Sequence, residues 1–168
     1  ICSGLVGSEM CIRDSDTEEF LSERISILIS SGAIDPAIAL LERASPLPPQ
    51  LVPKLFEASL LGSQYEPACK QVLKLGANYK DDAGRIYCHA LEGDWLTAAM
   101  IYNTSKALDS TETSTLLLLG EFLEIDEPTQ KFIPIPDINL TPLDFRLYET
   151  LGYHIVREDL ANAFIFGD

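Results

Sequence analysis

Two histidines, two methionines, one tryptophan and only 12 basic residues occur in this chain of 168. So little histidine removes most metal and acid–base constellations: His89 and His154 stand in no HExxH or comparable spacing. GxSxG, GxGxxG and Walker-type loops are also missing from the sequence. The sequence therefore offers no catalytic residue, no cofactor site and no metal ligand set. Against the 12 basic residues stand 26 acidic ones, a formal charge of −14. Such an excess argues against nucleic-acid binding and against adhesion to anionic lipid, and it favours solubility and cationic partners. No apolar run approaches the roughly 18–20 residues that span a bilayer. The first twelve residues also lack the basic region and apolar stretch of roughly 7–15 residues of a signal peptide.

What is present begins awkwardly. Leu5 to Ser15 reads LVGSEMCIRDS, with neither a helical nor a strand period. It resembles one reading frame of a transposon-end adapter used in sequencing libraries, with Gly4 compatible with the match. Residues 1–15 are accordingly expected to be a non-native tail that packs poorly, with the first real helix starting near Thr17 and the natural start lying upstream. Cys2 and Cys11, with eight residues between them and no histidine nearby, do not make a zinc spacing. Setting the tail aside leaves 24 acidic residues (26 less Glu9 and Asp14) and 11 basic (12 less Arg13), so −13 remains.

From Asp16 the signals are helical. DTEEFLSERISILISSG starts with Asp16 and Glu19 in capping-box spacing, carries Leu21, Ile25 and Leu28 on one stripe, and stops at Gly32. IDPAIALLERA has Asp35 as the expected N-cap and Pro36 at the first helical position. Further helices are expected to end at Gly62, Gly76 and Gly93, then to run from Asp94 over DWLTAAMIYNTSKAL and over TETSTLLLLGEFLEI after Ser110.

These helices repeat. Gly32, Gly62 and Gly93 each close one helix and open a turn. Ala37, Ala68 and Ala99 follow 31 residues apart, as do Ile38, Cys69 and Met100. Leu55 and Ile86, Phe56 and Tyr87, and Leu60 and Leu91 keep the same offset. The expected fold is all-α: a right-handed α-solenoid of about three stacked helical hairpins over residues 16–125. An extended Pro-rich strap over 126–141 and C-terminal helices over 142–168 complete it. Pro128, Pro134, Pro136 and Pro142 exclude a helix or central strand in the strap, while Phe132, Ile133 and Ile135 make it too apolar for a free linker. Thr141 and Asp144 predict a capping box, Gly152 a stop, and REDLANAFIF one more helix.

Cys69 and Cys88 are the sharpest pair. The turn between their helices centres near residue 78, so they lie level in an antiparallel arrangement and can form a disulfide if both face the seam. That bond would imply an oxidising compartment; the alternative is two small buried hydrophobes in a reduced, cytoplasmic protein. His89 points about 100° away from Cys88 on a helix, which speaks against a Cys–His nucleophile. The carboxylates of KDDAG and EIDE read as helix termini and solvated turns. Tyr65, Tyr87, Trp95 and Tyr102 read as core, and the sequons at Asn103 and Asn139 are discounted.

At AGRIYCHALEG followed by GDWLTAAMIYNTSKAL the chain resembles tetratricopeptide-like helical repeats, though its period is shorter than theirs. Residues from about Ile34 to Phe164, including PACKQVL, IYCHALEGDW and TPLDFRLYETLG, are similar to a group of uncharacterised exported helical-repeat proteins of alphaproteobacteria. These resemblances imply a non-enzymatic scaffold for a protein or peptide partner in the bacterial envelope, periplasmic in location. An alternative implication is the N-terminal superhelical part of an exported cell-wall-processing enzyme.

Overall fold

In the computed structural model the described residues are 8–108, 113–125 and 140–153, with side chains described from residue 18 onward. Eight α-helices make up the described fold: α1 (Ser8–Ser30), α2 (Ile34–Arg43), α3 (Val52–Leu61), α4 (Glu66–Leu75), α5 (Asp82–Leu91), α6 (Trp95–Leu108), α7 (Ser114–Phe122) and α8 (Pro142–Thr150). Short 3₁₀ turns precede α3 and follow α4. No strand occurs among the described residues.

Each helix from α1 to α8 packs against the next, save that α6 meets α7 and α7 meets α8 only after the intervening segments. Between non-neighbours, α1 also meets α3, α5 meets α7, and α8 returns to α3. One apolar core runs through the set, from Ile25 and Ile29 of α1 through Leu60, Ile86 and Tyr102 to Leu147 and Tyr148 of α8. Helical spacing explains it: Ile34, Ala37 and Leu41 of α2, and Ala68 and Val72 of α4, fall three or four apart on one face. Ala37, Ala68 and Ala98 are completely buried, which lets successive helices approach closely.

Several local expectations are corrected. Helix α1 begins at Ser8 rather than near Thr17, because nothing from residue 8 to residue 16 breaks a helix and an internal Asp is tolerated there. The expected poor packing of residues 1–15 concerns side chains outside those described. In α2 the N-cap is Ala33, so Asp35 lies inside the first turn, where its charge faces the positive helix end. Gly62 has φ −85°, and the left-handed residue of that turn is Ser63 at φ 55°. Gly62 serves close approach instead: a Cβ there would lie 3.2 Å from Ile34 Cγ2 and 3.3 Å from Ile38 Cδ1. Gly32 and Gly93 do take left-handed φ, 78° and 81°.

In the third hairpin the buried column shifts by one residue. Ala98 is buried, not Ala99, and Met100 is 62% exposed. Leu91 is 39% exposed where its counterpart Leu60 is buried. The Thr141–Asp144 capping box forms as expected, with Thr141 Oγ1 accepting from the Asp144 amide at 3.1 Å and Asp144 accepting from the Thr141 amide at 3.1 Å. The strap over 126–139, the REDLANAFIF helix, His154 and the sequon at Asn139 lie outside the described residues.

The tightest joint lies at Gly84 in α5. A Cβ there would meet Asp81 Oδ2 and Phe56 Cε1 at 3.0 Å and Tyr79 Cε1 at 3.1 Å. Both rings are buried and cannot retreat. Gly84→Ala is therefore expected to destabilise the protein by about 2 kcal/mol through overpacking, whereas Gly62→Ala, whose nearest neighbours stand further off at 3.2 and 3.3 Å, should cost less; urea unfolding of both variants checks the order.

Candidate functional site

The candidate site involves the turns after α3 and α5. The turn after α3 delivers Tyr65 to the start of α4, and the turn after α5 delivers Asp94 and Trp95 to the start of α6. Asp94 caps α6 by accepting from the Thr97 amide at 3.2 Å, and His89 Nδ1 lies 3.3 Å from its other oxygen. Those hydrogen bonds, the Thr97 ones first, hold the Asp94 carboxyl below its ordinary range.

Behind these turns, Cys69 in α4 and Cys88 in α5 are brought together with sulfurs 2.09 Å apart and Cα atoms 5.2 Å apart, at disulfide bonding distance. Both are essentially buried. The pair links the second helix of one hairpin to the first helix of the next, across 19 residues of chain. His89 turns toward Asp94 instead, so Cys88 and His89 do not form a nucleophile pair.

A cleft of about 410 Å³ opens beside Cys69, lined by Tyr65, Glu66, Lys70, Leu91 and Glu92. One wall, Tyr65, begins a row of aromatic rings. Tyr65 packs edge-on to Tyr87 at 6.2 Å, Tyr87 lies 5.7 Å from Phe122, and Phe122 lies 5.9 Å from Trp95. Phe56 joins the same row through Tyr87 and Tyr79. Burial first, then the neighbouring Tyr65, pushes the Tyr87 phenol up to about 12, with Arg146 opposing. Tyr87 and Tyr102 are core, as their helical spacing suggests, and Tyr65 is half-buried. Trp95 is 50% exposed, contrary to the core expectation. Helix phase could have indicated this: once Ala98 is the buried residue, Trp95 lies at the rim and Leu96 points outward.

A second cleft, of about 430 Å³, lies between α5, α6 and α7, with Asp81, Asp82, Ser105 and Thr115 among its polar lining. Asp82 takes an ion pair from Arg85 at 2.8 Å and a hydrogen bond from Ser105 at 3.0 Å. Asp81 caps α5, accepting from the Ala83 amide at 3.1 Å. Burial raises the Asp81 carboxyl, with Asp82 and Asp144 adding to it and the Gly84 and Ala83 amides opposing. Sequence spacing placed KDDAG at a helix terminus, and Asp81 stands there as the exposed cap of α5. None of the family models, curated proteins or solved structures with which the chain was compared matches it.

Two outcomes follow from this geometry. Replacing Cys69 and Cys88 by serine is expected to lower unfolding free energy by about 3 kcal/mol, as loss of a crosslink closing a loop of this size implies, measured by urea titration without reductant. Asp81 has a folded-state pKa raised above its unfolded value, so its contribution to stability is complete below the unfolded pKa and is lost as pH rises through the folded one. Asp81→Asn, which retains a capping oxygen, should thus raise the melting temperature at pH 7 relative to the parent. The advantage should vanish below the ordinary carboxylate range; an advantage that grows on acidification would contradict this.

Proposed function

We propose that this chain is a non-enzymatic protein–protein interaction scaffold of the helical-repeat type: a right-handed solenoid of about three tetratricopeptide-like hairpins acting in the bacterial envelope. The order of helix packing supports this reading, since each helix meets its sequence neighbour and first helices also meet across hairpins, α1 with α3 and α5 with α7. The Cys69–Cys88 geometry supports an oxidising, periplasmic location.

The observation that carries the reading is an apolar surface without cover. Leu91 at the cleft, Trp95, Leu96 (74% exposed) and Met100 (62% exposed) are all exposed, and the last two stand one turn apart on the outside of α6. Large side chains left in water together mark interaction sites. Glu66, Glu92 and Lys70 line the cleft beside Leu91, and the chain as a whole carries −14. Exposed apolar side chains on a chain of net charge −14 fit a partner segment that is amphipathic and basic.

Trp95 is the only tryptophan and reports on the surface directly. Titration with an amphipathic leucine–lysine helical peptide is expected to give a saturable change in Trp95 emission at low salt. A scrambled peptide of equal composition should bind more weakly. Leu96→Ser combined with Met100→Ser should weaken binding about tenfold, roughly 1.4 kcal/mol, while leaving the circular dichroism unchanged. No saturable change, or equal binding by the double variant, would refute the assignment.

A further inference from the structure

Helix α8 is held differently from the other seven. The turns within the three hairpins are three or four residues long, spanning 31–33, 62–65 and 92–94. Residues 123–141 separate α7 from α8, far more chain than two packed neighbours need. At the end of that connection α8 packs on α7 and on α3, a helix four elements earlier than α7.

Its contacts have the pattern of a ligand helix lying in a groove. Leu143, Leu147 and Tyr148 are buried and Leu140 and Leu151 partly so, giving leucine anchors at 140, 143, 147 and 151. On α7, Thr115 Oγ1 donates to Asp144 Oδ1 at 2.6 Å, and Asp144 is only 2% exposed. Toward α3, Arg146 donates to the Leu60 carbonyl, to the Leu61 carbonyl at 2.9 Å and to Ser63 Oγ at 2.6 Å. It thereby satisfies carbonyls at a helix end that lack partners within the helix. The fit has one flaw: the Tyr148 hydroxyl is buried with no hydrogen-bond partner. A buried unpaired hydroxyl is a cost that phenylalanine would avoid.

We propose that α8 is the resident occupant of a helix-binding seat made by α3 and α7, and that an external amphipathic helix can take its place. That helix would carry apolar anchors at the spacing of Leu140, Leu143, Leu147 and Leu151, a carboxylate just after the second anchor and a guanidinium just before the third. The inference rests on α8 alone and stands apart from the Trp95 surface. The unpaired Tyr148 hydroxyl keeps the occupant weaker than the best competitor.

The probe is a labelled synthetic peptide of residues 140–152, LTPLDFRLYETLG, titrated into the full chain. Arg146→Ala in the chain weakens the occupant without touching the α3 and α7 side chains, so it should raise apparent peptide affinity at least tenfold. Tyr148→Phe in the chain should lower it. A peptide carrying Leu147→Asp should not bind. Hydrogen exchange on the Arg146→Ala chain should quicken in residues 142–150 while α3 to α5 remain protected. If α8, α3 and α7 exchange together as one unit, or if α8 is released and the peptide still does not bind, the proposal is wrong. Leu151→Ala, at the half-buried edge of α8, provides a milder release should Arg146→Ala fail to fold; it must then give the same order of affinities.

Discussion

Phe56 is the residue on which the arrangement turns. Its ring enters from α3, stands edge-on to Tyr79 and Tyr87, and fills the space that Gly84 leaves open in α5. The hairpin containing α3 and α4 thereby locks to the hairpin containing α5 and α6. From Tyr87 the aromatic row continues to Phe122 and out to Trp95. Packing at one missing side chain thus sets where the exposed tryptophan stands. Asp81, the cap of α5, borders the same gap, its Oδ2 lying 3.0 Å from where a Gly84 Cβ would stand.

The cysteine pair adds a second, covalent constraint, joining α4 to α5 where Phe56 joins α3 to α5. Cys69 lies in the first half of α4 and Cys88 in the last turn of α5, so the tie sits toward the turn end, whereas Phe56 and Gly84 tie the opposite end of α5. Two ties at different heights resist rotation as well as separation. The cleft beside Tyr65 therefore has fixed walls, as a pre-formed binding surface requires.

Much of this was legible from spacing. Caps and stops marked helix boundaries well where a side chain bonds to backbone, as at Thr141–Asp144 and Asp94. Equal distance from a turn placed Cys69 level with Cys88. Legibility failed where tertiary packing overrode local chemistry. A strict 31-residue offset pointed to Ala99 and Met100, but the short Glu92–Asp94 turn re-phases α6 so that Ala98 faces inward. Gly62 looked like a left-handed stop, yet contact with Ile34 and Ile38 is its role, and Ser63 makes the turn. Long-range contacts were beyond reach: nothing near Arg146 in the sequence indicates that it bonds to Leu60 and Leu61.

That arginine has a further consequence. Ser63, which receives one of its hydrogen bonds, is two residues before Tyr65, the aromatic wall of the cleft beside Cys69. Arg146 also acts electrostatically on Tyr87, the ring against which Tyr65 rests. The docked C-terminal helix and the cleft therefore share one turn as common ground. Whatever free energy is gained or lost at that turn when one of them changes occupancy must, by reciprocity, appear in the affinity of the other.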